Sequence, residues 1–187
     1  MAAIEEEALR KVADGDLVEF GIMCRRHATK LCNFAYRLLW SWSDAEEVAQ
    51  ETFFRIFKLA LDGRFDEEPG AFYTAMYGIA RSLCVDRGRE RQETVTSDER
   101  DGTAGDEGPP ADRPSCAVQD RFGQQIDEAF ARLNPNHRAA LLLADYIGLR
   151  YAEIAHVLNR SLIQVRMLVH NARKEVTNLV DRSKSPL

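Results

Sequence analysis

Apolar residues recur at steps of three and four along most of the chain, which predicts helices and no strand. Residues 5–40 read as helical. Leu17, Phe20, Cys24, Ala28, Leu31, Ala35 and Leu38 form one stripe, with Asp16 as cap and Glu19 at capping-box spacing. Trp40 and Trp42 flank a break. Ser43 and Glu46 then open a second helix, SDAEEVAQETFFRIFKLAL. Its apolar face is Val48, Ala49, Thr52, Phe53, Ile56, Phe57 and Ala60; its polar face is Asp44, Glu47, Gln50, Glu51, Arg55 and Lys58. After a loop from Asp62 to Gly70, a third helix spans about Ala71 to Gly88. Phe72, Met76, Ile79, Ala80 and Leu83 make its core stripe. Tyr73 and Tyr77 lie one turn apart beside that stripe, followed by Arg81, Arg87, Arg89 and Arg91.

The periodicity stops at Glu93. Residues 93–118 are rich in Gly, Pro, Asp and Glu and read as a linker. Helices resume near Gln119, with Ile126, Ala129, Phe130 and Leu133 on one stripe. Asn134-Pro135 restarts a helix that ends at Gly148. Tyr151 to Val176 then reads as two helices with a tight break at Leu158-Asn159-Arg160-Ser161. Asn159 tolerates a left-handed backbone, and Ser161 with Gln164 has capping-box spacing. Leu162, Val165, Val169, Ala172 and Val176 share a buried face; Arg166, Met167, His170, Asn171 and Lys174 face outward. That is a helix-turn-helix, whose second helix can enter a major groove. The same pattern also suits a plain helical hairpin. The expected fold is all-α: two small helical domains, residues 1–92 and 119–187, joined by the flexible acidic linker 93–118.

Charge sharpens this division. The 187-residue chain carries −5 overall. Residues 1–92 account for −3, residues 93–118 for −5 and residues 119–187 for +3. A chain this acidic binds DNA poorly alone, because phosphate contacts supply most non-specific affinity. Tyrosines interleaved with arginines between Tyr73 and Arg91 suit single-stranded nucleic acid, though such stripes also pad cores. Cys24, Cys32, Cys84 and Cys116 show no close CxxC spacing and read as structural thiols. His27, His137, His156 and His170 are scattered, with no nucleophile–base pattern or phosphate loop. The expectation is no catalytic site, metal or cofactor. No apolar run is long enough to span a bilayer, and MAAIEEEALRK does not resemble a signal peptide, so a cytoplasmic location without membrane insertion is expected.

Three stretches in order resemble the extracytoplasmic-function (ECF) group of bacterial RNA polymerase sigma factors. DAEEVAQETFFRIFK (Asp44 to Lys58) resembles the region-2 helix that docks on the β′ clamp helices. AFYTAMYGIARSLCVDRGR, with its core from Phe72 to Arg89, is similar to the segment that melts and reads the −10 element. ARLNPNHRAALLLADYIGLRYAEIAHVLNRSLIQVRMLVHNARKEV resembles region 4, the reader of the −35 element. The resemblance implies a promoter-choosing subunit and not an enzyme. Its partners would be core RNA polymerase (β′ clamp helices and β flap), promoter DNA and an anti-sigma factor. Asp44, Glu47, Gln50, Glu51 and Arg55 would dock on polymerase. Phe65, Tyr73, Tyr77, Arg81, Ser82, Arg87 and Arg89 would meet −10 DNA. Ser161, Gln164, Arg166, Met167, His170, Asn171, Arg173 and Lys174 would meet −35 DNA. The linker would pass near the polymerase active centre. A helix-turn-helix regulator that binds duplex DNA without polymerase is the competing reading.

The departures from the family pattern carry information. Ala75 stands where the family usually has Trp, and Ser82 where it often has Asn. Arg150 replaces a small cap residue, a loss worth ~1 kcal/mol, and Arg160 replaces a hydrophobic turn residue. Leu168 and Asn171 replace customary arginines, which flattens the salt dependence of binding. The promoter is therefore expected to be atypical. Selection from a random promoter library should return a −35 element unlike the common family one; recovery of the common element would contradict this.

Overall fold

The structure is a computed structural model that describes residues 2–63, 70–97 and 128–184. Phe65, Cys116 and most of the expected linker lie outside the described residues. Every described element is helical: α1 (Ala2–Ala13), α2 (Val18–Leu39), α3 (Trp42–Leu61), α4 (Ala71–Ser97), a helical segment at 128–132, α5 (Pro135–Leu141), a π-helical turn (Leu142–Ile147), α6 (Tyr151–Leu158) and α7 (Leu162–Lys184).

Local chemistry explains most boundaries. The Asp16 carboxylate accepts from the Val18 N–H at 3.1 Å, but the N-cap of α2 is Leu17, which makes no side-chain cap, and Glu19 pairs with Lys11 at 3.9 Å, so the expected capping box does not form. Trp40 adopts a left-handed backbone (φ 56°), and the next residue, Ser41, caps α3 by accepting from the Asp44 N–H at 3.4 Å. The cap is therefore Ser41 and not Ser43. Glu46, assigned to a capping box with Ser43, instead accepts from Trp42 Nε1 at 2.8 Å. Asn134 accepts from the Asn136 N–H with Pro135 at the first position, as expected. Gly148 closes the π turn at φ 85°. Helix α4 continues past Gly88 to Ser97, so residues 93–97 belong to the helix rather than the linker. A glycine inside a helix costs only about 1 kcal/mol, too little to stop it here.

Helices α1–α4 form one bundle. Leu9, Val12, Met23, Leu31, Phe34, Val48, Ile56, Phe72 and Met76 fill it. Thr52, buried on the α3 apolar face, donates its hydroxyl to the Val48 carbonyl at 2.6 Å, so no polar atom is stranded there. Helices α5–α7 enclose a second core of Leu133, Leu142, Leu143, Ile154, Val165, Val169 and Ala172. The two cores are continuous, because α4 packs against α6 and α2 against α5. Asn33 Nδ2 donates to the Tyr146 hydroxyl at 3.2 Å, and the Arg37 guanidinium lies 5.6 Å from the Tyr146 ring.

Arg138 anchors this seam. It is buried, and its guanidinium donates to the carbonyls of Phe130 (2.8 Å), Ala131 (2.8 Å), Leu133 (3.1 Å) and Arg37 (3.4 Å). It also stacks 5.5 Å from the Trp40 ring. A guanidinium fork serves four acceptors that no smaller side chain reaches. Arg138→Ala should lower stability by about 2–3 kcal/mol, because buried carbonyls lose charged donors. A urea titration should show the midpoint falling accordingly.

Candidate nucleic-acid and polymerase interface

The polar face of α3 borders a cleft of about 630 Å³ shared with α4. Glu47, Gln50, Glu51 and Arg55 line it, together with Phe54, Leu83, Asp86, Arg87 and Glu90. Asp44 behaves differently from its expected companions. It is half-buried and paired with Arg87 and Arg91 of α4. Arg87 also reaches Glu47 at 2.6 Å. These pairs clamp the start of α3 to α4. They also draw Arg87 to the cleft, away from the other candidates for −10 DNA. Arg55 pairs with Glu51 at 2.7 Å along the helix. Phe54 is 50% exposed between them, with Lys58 4.3 Å from its ring. The periodicity of α3 left Phe54 unassigned, since it falls between the two faces.

The −10 candidates divide. Ser82 and Arg89 are exposed, Tyr73 and Arg81 are half-buried, and Tyr77 is 1% exposed. The Tyr77 ring packs edge-on against Phe34 at 5.2 Å. Burial raises its phenol pKa, with Tyr146 and Tyr73 adding to the effect. Tyr77 is a core residue in this arrangement and offers no free ring face. Arg81 lies close enough to Arg160 of the helix-turn-helix break for burial and then that like charge to lower its pKa. Of the −10 candidates, Tyr73, Tyr77 and Arg81 thus face the α5–α7 half across the seam. Gly70, at φ 93°, marks a close approach across this seam: a Cβ there would meet Glu153 Oε1 at 2.6 Å.

Beneath Tyr73 lies a buried polar cluster. Glu5 of α1 is fully buried and meets His27 Nε2 at 3.1 Å and Arg26 Nη1 at 3.4 Å. The His27 ring packs tilted against Phe72 at 5.2 Å and edge-on against Tyr73 at 5.5 Å. Burial, then the Glu5 carboxylate, raises the Tyr73 phenol pKa. Nothing in the sequence pattern linked Glu5 to His27, because they come from different helices.

The break of the helix-turn-helix forms as expected. Asn159 is left-handed at φ 49°. Ser161 and Gln164 make the reciprocal capping box: Gln164 N–H donates to Ser161 Oγ at 3.3 Å, and Ser161 N–H donates to Gln164 Oε1 at 3.0 Å. Arg150 serves as cap of α6 with help from Glu153, whose carboxylate accepts from the Arg150 N–H at 2.7 Å. Val165, Val169 and Ala172 are buried, but Leu162 is 42% exposed and leaves the expected apolar face. As the first residue of α7 it projects beyond the neighbouring helices. Arg166, Met167, His170, Asn171, Arg173 and Lys174 are all exposed. Arg173 is bound by two hydrogen bonds to Asp145, which separates it from the other outward cations. Ile163, 71% exposed, belongs to this outward face and was missed, because apolar residues were assigned to the core.

Two family models match the chain: Sigma-70 region 2 over residues 23–94 and Sigma-70, region 4 over residues 123–176. Together they cover most of it. The chain belongs to the ECF sigma factors. It is 32% identical to ECF sigma factor SigE of Mycolicibacterium smegmatis, over 87% of this chain and 62% of that protein. It is 26% identical to the sigma-H factor of Pseudomonas aeruginosa over 98% of this chain and 95% of that one. Among solved structures, CnrH in complex with the cytosolic domain of CnrY has TM-score 0.66 at 20% identity, covering 95% of this chain and 97% of that one. The sigma factor RpoE of Bartonella quintana, bound to the anti-sigma factor NepR, has TM-score 0.64 at 18% identity, covering 84% and 95%. Both likenesses are of fold.

The Glu5–His27 cluster predicts a pH dependence. Burial lowers the His27 pKa from its ordinary 6.5, outweighing the opposing pull of Glu5. The unfolded chain then binds the proton more readily than the folded one, so stability falls as pH drops below about 6.5. The urea midpoint should decline between about pH 7 and pH 5.5. His27→Gln should make that decline shallower.

Proposed function

We propose that this sigma factor directs core RNA polymerase to a specific set of promoters and helps separate the strands at initiation. The carrying observation is the ordered pair of matched regions, with the α3–α4 cleft on the first and an outward, cation-bearing helix-turn-helix on the second. Polymerase carries the chemistry; this chain supplies contacts. Residues 1–97 serve docking and the −10 element, the acidic segment 98–118 links, and residues 119–187 serve the −35 element and the β flap. Glu47, Gln50, Glu51 and Arg55 form the docking face, with Phe54 as its apolar centre and Asp44 holding its backbone in place. The chain works in the cytoplasm. Among the described residues no helix is long and apolar enough to cross a membrane.

In this reading the seam between α4 and α6 must open before −10 DNA is read, since Tyr77 is buried there and Tyr73 and Arg81 are half covered. Ser82 and Arg89 remain reachable. Differential binding drives the opening: polymerase favours the separated state by whatever contacts that state alone allows. The complex of RpoE with the anti-sigma factor NepR supports an anti-sigma protein as a partner of this chain as well, and in this reading that partner favours the other state.

The test adds the purified chain to core polymerase and measures stable binding and run-off transcription. Both are expected. Glu47→Lys combined with Glu51→Lys should cut core affinity about tenfold or more, since two attractive charges become repulsive. Specific binding to duplex DNA alone, with no binding to core, would assign the chain to free-standing regulators instead.

A further inference from the structure

The outward face of α7 combines two features that rarely share a water-exposed helix. Ile163 and Met167 stand one turn apart at 71% and 60% exposure. Neither is needed for the core, because Val165, Val169 and Ala172 already close the buried side at 0% exposure. Arg160, Arg166, His170 and Lys174 surround them and are exposed. From residue 160 to 174 there is no acidic residue. Arg173, the remaining cation, is occupied by Asp145.

The occupant of this face must therefore be anionic and also present apolar groups. Duplex DNA does both in its major groove, where the thymine 5-methyl is the one apolar group on the base edges. Ile163 and Met167 lie in the first two turns of the second helix, the part of a helix-turn-helix that reaches base edges. Resting on the function proposed above, we infer that this sigma factor reads its −35 element partly through thymine methyl groups, which Ile163 and Met167 cover. Gln164 keeps its amide nitrogen for an adjacent base while its oxygen holds the capping box. The cations flanking the pair meet phosphates and fix the helix in register. Guanine recognition by an arginine fork has no ready donor at these two positions.

The experiment uses holoenzyme assembled from the full chain and core polymerase, on a promoter that this holoenzyme selects from a random pool. Each thymine of the −35 element is replaced in turn by deoxyuridine, which removes one methyl group and leaves base pairing intact. At one or two positions binding should weaken about fourfold, the value of one buried methyl group. Ile163→Ala with Met167→Ala keeps good helix formers at exposed sites, and in this double variant the same deoxyuridine should carry no penalty. The inference is overturned if no thymine shows a penalty, or if the penalty persists in the variant. It is also overturned if the variant loses core polymerase in the absence of DNA, which would make the patch a protein-docking surface. Failure of the wild-type chain to bind core at all would remove the proposed function together with this inference; a working holoenzyme indifferent to deoxyuridine would remove this inference alone.

Discussion

Helix α4 must satisfy two neighbours with one set of side chains, and most of the molecule is arranged around that constraint. Phe72, Met76 and Ala80 complete the α1–α4 core. One step round the helix, Tyr73, Tyr77 and Arg81 lie along the seam with the helix-turn-helix domain. Tyr77 sits between Phe34 and the π turn that carries Tyr146. A buried aromatic ring is a large apolar contribution, and the part of it that faces the π turn is realised only while the two halves remain together. Three of the residues expected to meet melted DNA, Tyr73, Tyr77 and Arg81, thus also lie where the halves close on each other. Reading and closure compete for one surface.

Electrostatics distributes work in a similar way. The arginines do not act as a pool of positive charge. Arg138 holds backbone carbonyls, Arg87 clamps two acidic residues of α3, Arg173 binds Asp145 and Arg150 stiffens the start of α6 through Glu153. The cations left outward on α7 are few and close together, around Ile163 and Met167. The weak phosphate affinity expected from this charge is then useful. A sigma factor that binds DNA poorly alone stays selective, because polymerase must bring it to the promoter.

The order of the described helices and the helix-turn-helix break were legible in the chain because local chemistry specifies them. Asn159 takes the left-handed turn, Ser161 and Gln164 cap each other, and Asn134-Pro135 starts a helix, all within four residues. Three readings missed. The cap at Ser41 depended on Trp40 turning left-handed, α4 ran through Gly88, and Leu162 had no neighbour to bury it. The first two turned on small local margins between neighbouring candidates, and the third on packing beyond the local window.

By itself, then, the sequence determined the all-α architecture, two charge-distinct halves and the family, since periodicity, caps and motif order are properties of neighbouring residues. Only the tertiary structure decided which of the chemically suitable side chains are available. It turned Tyr77 into core, Asp44 and Arg87 into a clamp, and Arg173 into the partner of Asp145. It also brought Glu5 to His27 and left Ile163 in water. The physical reason is that burial and ion pairing depend on distances between residues far apart in the chain, which no local pattern encodes.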